Sequence, residues 1–345
     1  MNPLLLPFSA GFRAGVALRS AGYRLGWLPV RRLARPVVSV GNITVGGTGK
    51  TPLVACVADM LLRQGWKPSI LTRGYRRRSS EEMIVVAPEE HRRADPAQIG
   101  DEPALLARIL PEVPLVICAD RFRGGQTAEE RFHVDAHILD DGFQHRALAR
   151  DVDVLALDAT QTLSDWNLLP AGRQREPVSA IRRAQIVVLT RTDSADAGAL
   201  HEWVSKIHPA AMVFHSRTKL LGWTNIISGE AVSNADVRSQ KVAAFCGIGN
   251  PQAFFADLRR WGLSLTAEDA FPDHHVYTGE EIRRLAETAR RKGVVALVTT
   301  QKDAVKILRD WEPCLPILAC EIAAAISDAE EFQATLCLFL EKAHR

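Results

Sequence analysis

The stretch PVVSVGNITVGGTGKT, residues 36–51, restricts what this chain can fold into more than any other. Its β-branched run at 37–40 predicts a short buried strand. A glycine-rich turn follows, and Gly49-Lys50-Thr51 opens a helix expected to run through Pro52 to about Arg63. Strand, glycine-rich turn and helix, in that order, build a phosphate loop. Backbone N–H groups converge on phosphate oxygens, and the helix N-terminus adds the positive end of its dipole. Lys50 is placed to neutralise the β- and γ-phosphates and the Thr51 hydroxyl to ligate Mg²⁺, with Thr44, Val45, Gly46, Gly47, Thr48 and Gly49 as the cradle. The usual first glycine of the pattern, five residues before Gly49, is Thr44 here, so Gly46-Gly47 must supply the turn.

Further apolar runs recur downstream, each closing on polar residues. Residues 68–71 predict a second strand that ends in Thr72-Arg73-Gly74-Tyr75-Arg76-Arg77-Arg78. Arginines at a strand's carboxyl end face the ligand crevice of an open α/β sheet, so an anionic substrate group is expected there; a solvated charge run is the plainer alternative. Asp101 and Glu102 stand at the start of a helix over about 104–109, where acids serve as ordinary caps. A third strand at 115–118 leads to Asp120-Arg121, and a fourth at 134–139 closes on Asp140-Asp141-Gly142-Phe143-Gln144-His145. An acid ending an apolar strand downstream of a phosphate loop is the Walker-B arrangement for Mg²⁺, and two adjacent carboxylates exceed what a cap requires. His133 and His137, read in that same strand, lie about 13 Å apart by strand rise, too far to share a metal. Strands at 152–157 and 186–190 flank a loop carrying Arg173 and Arg175. This alternation predicts a doubly wound, mostly parallel α/β sheet of the phosphate-loop NTPase type.

The texture shifts at about residue 195. A strand-like stretch at 211–215 and a connector at 217–229 precede a second, smaller α/β unit that begins with a strand at 241–246. Gly247-Ile248-Gly249 follows it, but a lone GxG is too weak to count as a second nucleotide loop. A helix at 252–261, a strand at 294–300 and a closing amphipathic helix at 328–342 complete the unit. The expected organisation is a basic amphipathic segment at 1–27, a phosphate-loop core at 28–215 and a smaller C-terminal α/β domain at 216–345 that closes a cleft.

Composition enters where it excludes classes. At 345 residues with 47% hydrophobic and 24% charged side chains, the chain suits two ordinary globular domains. The net charge of +3 hides an asymmetry: no acid precedes Asp59, while Arg13, Arg19, Arg24, Arg31, Arg32, Arg35 and Lys50 are cationic. Phe8, Phe12 and Val16 share one helical face in this acid-free segment. Such a helix suits an anionic lipid surface, and equally a place on the core with its arginines solvated. The six cysteines form no CxxC pair and read as core residues in a reducing compartment, with no zinc site. No run of 18 apolar residues predicts a membrane span, and the charges that follow Leu4-Leu5-Leu6-Pro7-Phe8 do not suit a signal peptide.

Taken together and in order, these motifs closely resemble the tetraacyldisaccharide 4′-kinase family of the Gram-negative lipid A pathway, nearly end to end. The residues that carry the resemblance are Ser39-Val40-Gly41-Asn42, Val45-Gly46-Gly47-Thr48-Gly49-Lys50-Thr51-Pro52, Thr72-Arg73-Gly74-Tyr75, Gly100-Asp101-Glu102-Pro103 and Asp120-Arg121. They continue with Asp140-Asp141-Gly142-Phe143-Gln144, Leu169-Pro170-Ala171-Gly172-Arg173, Phe271-Pro272-Asp273-His274 and Lys302-Asp303-Ala304-Val305-Lys306. Thr44 in place of glycine is itself typical of the family. The resemblance implies transfer of the ATP γ-phosphoryl group, with Mg²⁺, to the 4′-hydroxyl of a tetraacyl disaccharide 1-phosphate. It implies a peripheral enzyme on the cytoplasmic face of the inner membrane, held there by its N-terminal helix, with no nucleic-acid or obligate protein partner. By motif, Asp101 is implied as the base on the hydroxyl and His274 as its partner, with Glu102 and His275 competing by adjacency. Lys50 and Asp141 join them in catalysis, and Thr51, Asp140 and Asp141 serve the metal. Arg73, Tyr75, Glu102, Arg121, Gln144 and Arg173 are implied on the substrate side.

A protein of another class, a nucleotide switch or metallochaperone GTPase, also uses a phosphate loop. Thr190-Arg191-Thr192-Asp193 has a faint likeness to its guanine-reading Asn-Lys-x-Asp element. Such proteins usually carry metal ligands or an effector surface, and the sequence shows no Cys/His cluster.

Overall fold

The computed structural model describes residues 5–75, 77–161, 167–307, 311 and 313–344. Helix α1 (Leu6–Arg24) lies outside the sheet. The first half of the chain then alternates strands and helices: β1 (Val37–Gly41), α2 (Lys50–Arg63), β2 (Pro68–Thr72), β3 (Met83–Val86), α3 (Pro96–Ile99), α4 (Asp101–Ile109), β4 (Leu115–Cys118), α5 (Arg121–Phe132), β5 (Ala136–Asp140), β6 (Val152–Asp158), β7 (Ile186–Thr190) and α6 (Gly198–Ile207). Strands β1, β2, β4, β5, β6 and β7 are buried along their whole length, which is why they read as unbroken apolar runs.

The second half comprises β8 (Met212–Asn225), β9 (Ala231–Val232), α7 (Asn234–Arg238), β10 (Lys241–Cys246), α8 (Pro251–Arg260), β11 (Ser264–Ala270), α9 (Gly279–Arg291), β12 (Ala296–Thr300), α10 (Gln301–Ala304), β13 (Ile317–Ile326) and α11 (Ala329–His344). One sheet runs through both halves in the order β11-β10-β12-β13-β8-β7-β6-β1-β5-β2-β4-β3, with β9 beside β8. All neighbours are parallel except β3–β4, β8–β13 and β8–β9. This is the doubly wound, mostly parallel α/β architecture expected.

Strand β8 is the joint. Met212 to His215 pair with β7, and from Ser216 onward the strand turns to β13, while β12 pairs only with Ile317 to Cys320 of β13. Between those stretches the two halves are joined by a two-stranded ribbon. Helix α11 returns to the first half, where Phe332, Leu336 and Leu340 share the core with α2, β1 and Phe214.

Several expectations need adjustment. The segment read as a connector at 217–229 is mostly the far end of β8; its alternating exposure left no apolar run to find. Strands β3, β11 and β13 were not anticipated. Of these, β3 and β11 are half-exposed edge strands, and β13 is alanine-rich where it leaves the core. His133 does not lie in a strand but ends α5 in the left-handed region at φ 51°. His137 does lie in β5, bonded to Ser69 Oγ at 2.8 Å and Glu129 Oε1 at 3.1 Å, and is a satisfied core histidine.

Candidate active site

The carboxyl end of β1 and the start of α2 hold the phosphate loop. Gly46 takes φ 105°, a backbone conformation that favours glycine, and the Arg173 guanidinium packs directly against it. Val45 N–H donates to Arg173 O at 2.7 Å, Asn42 Nδ2 to Thr48 Oγ1 at 2.8 Å, and Thr190 Oγ1 to Thr48 O at 3.0 Å. The loop is thus fixed from three sides. No side chain caps α2, whose first residues are Lys50 and Thr51.

Register puts the acids beside this loop. β5 pairs with β1 and β2, so its last residue, Asp140, lies next to both carboxyl ends. Asp140 accepts a 2.9 Å hydrogen bond from Thr72 Oγ1. Burial and the neighbouring Asp141 push its pKa up to about 6. Asp141, in the left-handed region at φ 50°, is turned toward cations: Arg175 Nη1 at 2.7 Å and Lys50 Nζ at 3.5 Å. Burial works against the Asp141 charge, but Lys50 and Arg175 outweigh it and hold its pKa below the usual carboxylate range.

The expected substrate-side residues are spread between this pair, the phosphate loop and His274. Arg121 is buried, with Nη1 donating to Ala119 O at 3.0 Å; burial and Arg73 lower its pKa, with Asp140 and Asp141 opposing them. Gln144 donates to Asn42 O at 2.8 Å and to Glu176 Oε1 at 3.1 Å. Arg173 Nη2 reaches Val45 O at 3.2 Å. Tyr75 is 61% exposed, its ring edge-on to His274 at 5.9 Å.

The second half of the chain closes on the first here. Gly249, in the turn set aside by sequence, stands so close to Gly46 and Gly47 that a Cβ on it would lie 3.4 Å from Gly47 N. His274 Nδ1 meets Asp101 Oδ2 at 3.0 Å, 173 positions apart in the chain. Lys302 Nζ lies 2.8 Å from Glu102 Oε1, and Lys306 Nζ lies 3.9 Å from Asp101 Oδ2. His275, the adjacent competitor, turns away to Glu281 Oε1 at 3.2 Å. Sequence reasoning assigned no role to Thr72, Arg175, Lys302 or Lys306. Each was visible in a quoted motif or loop, but only three-dimensional register shows which acid each meets.

The guanine-reading alternative finds its residues occupied: Arg191 pairs with Asp158 at 2.9 Å and Asp193 with Arg260 at 2.8 Å. Among the described residues there is no cluster of three or more His, Cys, Asp or Glu side chains that could hold a metal, and no helix long and apolar enough to cross a membrane.

Comparison with known proteins identifies the family. The family described as Tetraacyldisaccharide-1-P 4'-kinase (LpxK) matches residues 1–341. The chain is 40% identical over 304 residues to a tetraacyldisaccharide 4'-kinase of Geobacter metallireducens, covering 88% of each protein. It is 38% identical over 341 residues to the enzyme of that name from Pelobacter propionicus, covering 98% of this chain and 92% of the other. Among solved structures it is similar to LpxK from Aquifex aeolicus in complex with ATP, at a TM-score of 0.77 and 32% identity, covering 97% of this chain and 98% of that one.

Proposed function

The chain belongs to the tetraacyldisaccharide-1-P 4'-kinase family, and from that membership we propose how its own residues carry out the reaction. The protein is an ATP-dependent lipid kinase that phosphorylates the 4′-hydroxyl of tetraacyldisaccharide 1-phosphate in lipid A biosynthesis. The observation that carries the site assignment is the meeting of the Asp101–His274 pair with the phosphate loop at one cleft.

Phosphoryl transfer needs the donor and acceptor positioned, charge on the transferred group offset, and the hydroxyl proton accepted. Thr44 to Thr51 cradle the ATP phosphates, and Lys50 offsets their charge. Asp101 Oδ2 is engaged by His274, which leaves Oδ1 to accept the 4′-hydroxyl proton. Arg73, Tyr75, Glu102, Arg121, Gln144 and Arg173 line the acceptor side. The residues present fit a Mg²⁺ ion. Asp140 is buried with its pKa raised, and Asp141 Oδ1 is buried with only Lys50 Nζ, at 3.5 Å, to balance it, so a divalent cation would relieve both. Thr51, Asp140 and Asp141 would hold it, with phosphate oxygens completing the shell as Mg²⁺ prefers. It would supply charge neutralisation on the γ-phosphoryl group.

We assign α1 to the membrane surface at the cytoplasmic face of the inner membrane. One side of it is tied to the site: Ser9 Oγ donates to Leu168 O at 3.1 Å and Arg19 Nη2 to Gln144 O at 2.6 Å, while Phe12 and Val16 line a cavity with Gln144 and Arg175. Phe8, Leu18, Leu25 and Trp27 are exposed, with Arg13 and Arg24 beside them, the composition an anionic surface attracts. Residues 28–215 and 216–345 then act as two units that close on the substrate. The direct test supplies the chain with γ-labelled ATP, Mg²⁺ and tetraacyl disaccharide 1-phosphate in detergent micelles. Label is expected on the glycolipid 4′ position, and GTP hydrolysis without any lipid acceptor would instead favour a switch.

A further inference from the structure

His274 has two ring nitrogens, and the structure provides different partners for them. Nδ1 lies 3.0 Å from Asp101 Oδ2. Nε2 lies 3.4 Å from Lys302 Nζ, and its nearest carboxylate oxygens, Glu102 Oε1 and Asp273 Oδ2, are both at 3.8 Å. A lysine ammonium donates and never accepts. Toward Lys302, therefore, Nε2 must present its lone pair, and the single ring proton must be on Nδ1, where Asp101 accepts it.

We propose that Lys302 is a positioning residue that sets the tautomer of His274, so that the imidazole orients Asp101 and does not carry away its proton. Lys302 is held for this task. Thr300 caps α10, accepting from Asp303 N–H at 3.0 Å, and Asp303 in turn accepts from Gly247 N–H at 3.1 Å and Thr300 Oγ1 at 2.7 Å. The Lys302 ammonium then bridges Glu102 at 2.8 Å and Asp273 at 3.4 Å. Burial works against its charge, but Glu102, Asp273 and Asp101 outweigh it and hold its pKa above the ordinary lysine value. The other groups facing the ring are Tyr75, edge-on at 5.9 Å, and Lys306, which approaches Asp101 Oδ2 at 3.9 Å. A second proton on Nε2 would face the Lys302 ammonium with no acceptor inside hydrogen-bond distance. When the 4′-hydroxyl oxygen forms its bond to the γ-phosphorus, the bond from that phosphorus to the β,γ-bridging oxygen breaks and ADP leaves; the hydroxyl proton goes to Asp101 Oδ1, and His274 keeps the one proton it has.

The inference rests on the Asp101–His274 reading, and its test separates the two. The ¹⁵N-histidine-labelled full chain is examined by long-range ¹H–¹⁵N NMR at about neutral pH, where the neutral imidazole has one bare and one protonated nitrogen. His274 signals are assigned by their loss in His274→Asn. Wild type is expected to show Nδ1 protonated and Nε2 bare. Lys302→Met should put a proton on Nε2 and lower kcat about tenfold or more, with KM for ATP within about twofold, as befits lost alignment of a general base. Lys302→Arg, which restores a donor-only cation, should recover both the spectrum and most of kcat. A protonated Nε2 in wild type, or a ring unchanged in Lys302→Met, overturns the proposal; the wild-type and Lys302→Arg spectra decide it even if Lys302→Met folds poorly. A ring that changes while kcat does not overturns the part of the proposal that gives Lys302 a role in aligning Asp101, and leaves Asp101 as the base to be judged by Asp101→Ala.

Discussion

Asp140 and Asp141 are adjacent in the chain, yet their environments drive them in opposite directions. Asp140 points into the interior beside Thr72, where burial raises its pKa to about 6. Asp141 points to Lys50 and Arg175 and is held ionised. The ordinary aspartate pKa is about 3.9, so the folded chain favours protonated Asp140. The associated stability is present below about pH 4 and lost as pH rises through about 6. Without nucleotide or Mg²⁺ at about pH 7.5, Asp140→Asn should therefore raise Tm by several degrees, since Asn can still accept from Thr72. The gain should shrink to less than half by about pH 4.5, while phosphoryl transfer falls about a hundredfold or more. Thermal scans at the two pH values check this, and a lower Tm at the higher pH contradicts it. Lys50→Ala removes a cation from both the phosphate loop and Asp141. Its kcat should fall more than about a hundredfold with an unchanged circular-dichroism spectrum; retention of over about a tenth of activity would reject the loop assignment.

At the scale of elements, legibility followed burial. The strands β1, β2, β4, β5, β6, β7 and β10 lie in or beside the core and show as apolar runs with polar carboxyl ends. Missed were the elements whose sequence answers to neighbours instead of a core: β3 and β11 at sheet edges, β13, and the outer part of β8. The phosphate loop was readable because its chemistry is local. The pairing of Asp101 with His274 was not, because nothing in spacing predicts a contact across 173 positions; it came from the family resemblance. Helix α1 was readable as basic and amphipathic but not as to what it faces. Its exposed Leu18, at 73%, and Trp27 just beyond its end, at 74%, supply the means to test this without disturbing Ser9 or Arg19. Leu18→Asp with Trp27→Asp should weaken cosedimentation with anionic vesicles and raise KM for membrane-presented substrate. Wild-type binding should fall with added salt, at about 1 kcal/mol per basic residue near the surface. Deleting residues 1–27 should do the same more strongly, and cosedimentation unchanged in both variants would leave α1 a structural element only.

Across the whole molecule, the sheet narrows to the β8–β13 ribbon, so the two halves meet by that ribbon and by side chains that pair between them. From the first half, α4 brings Asp101 and Glu102; from the second, the turn after β11 brings His274, and α10 with the turn after it brings Lys302 and Lys306. A carboxylate is a weak base toward a sugar hydroxyl, so what Asp101 contributes depends on alignment. If alignment comes from the other half, removing either member of the pair disables the same function. Asp101→Ala and His274→Ala should each lower kcat strongly, and the double variant should lose little more than the worse single one. His275→Ala should be milder, since that ring bonds Glu281 and stacks on Phe271 at 4.7 Å instead of facing the cleft. Glu102→Ala should also be milder, since Glu102 lines the acceptor side and bridges to Lys302 without accepting the proton. Single-turnover rates on the four single variants and the double one decide the matter. Losses that multiply in the double variant would mean two independent roles, and the two halves would then contribute to the reaction separately instead of through one aligned pair.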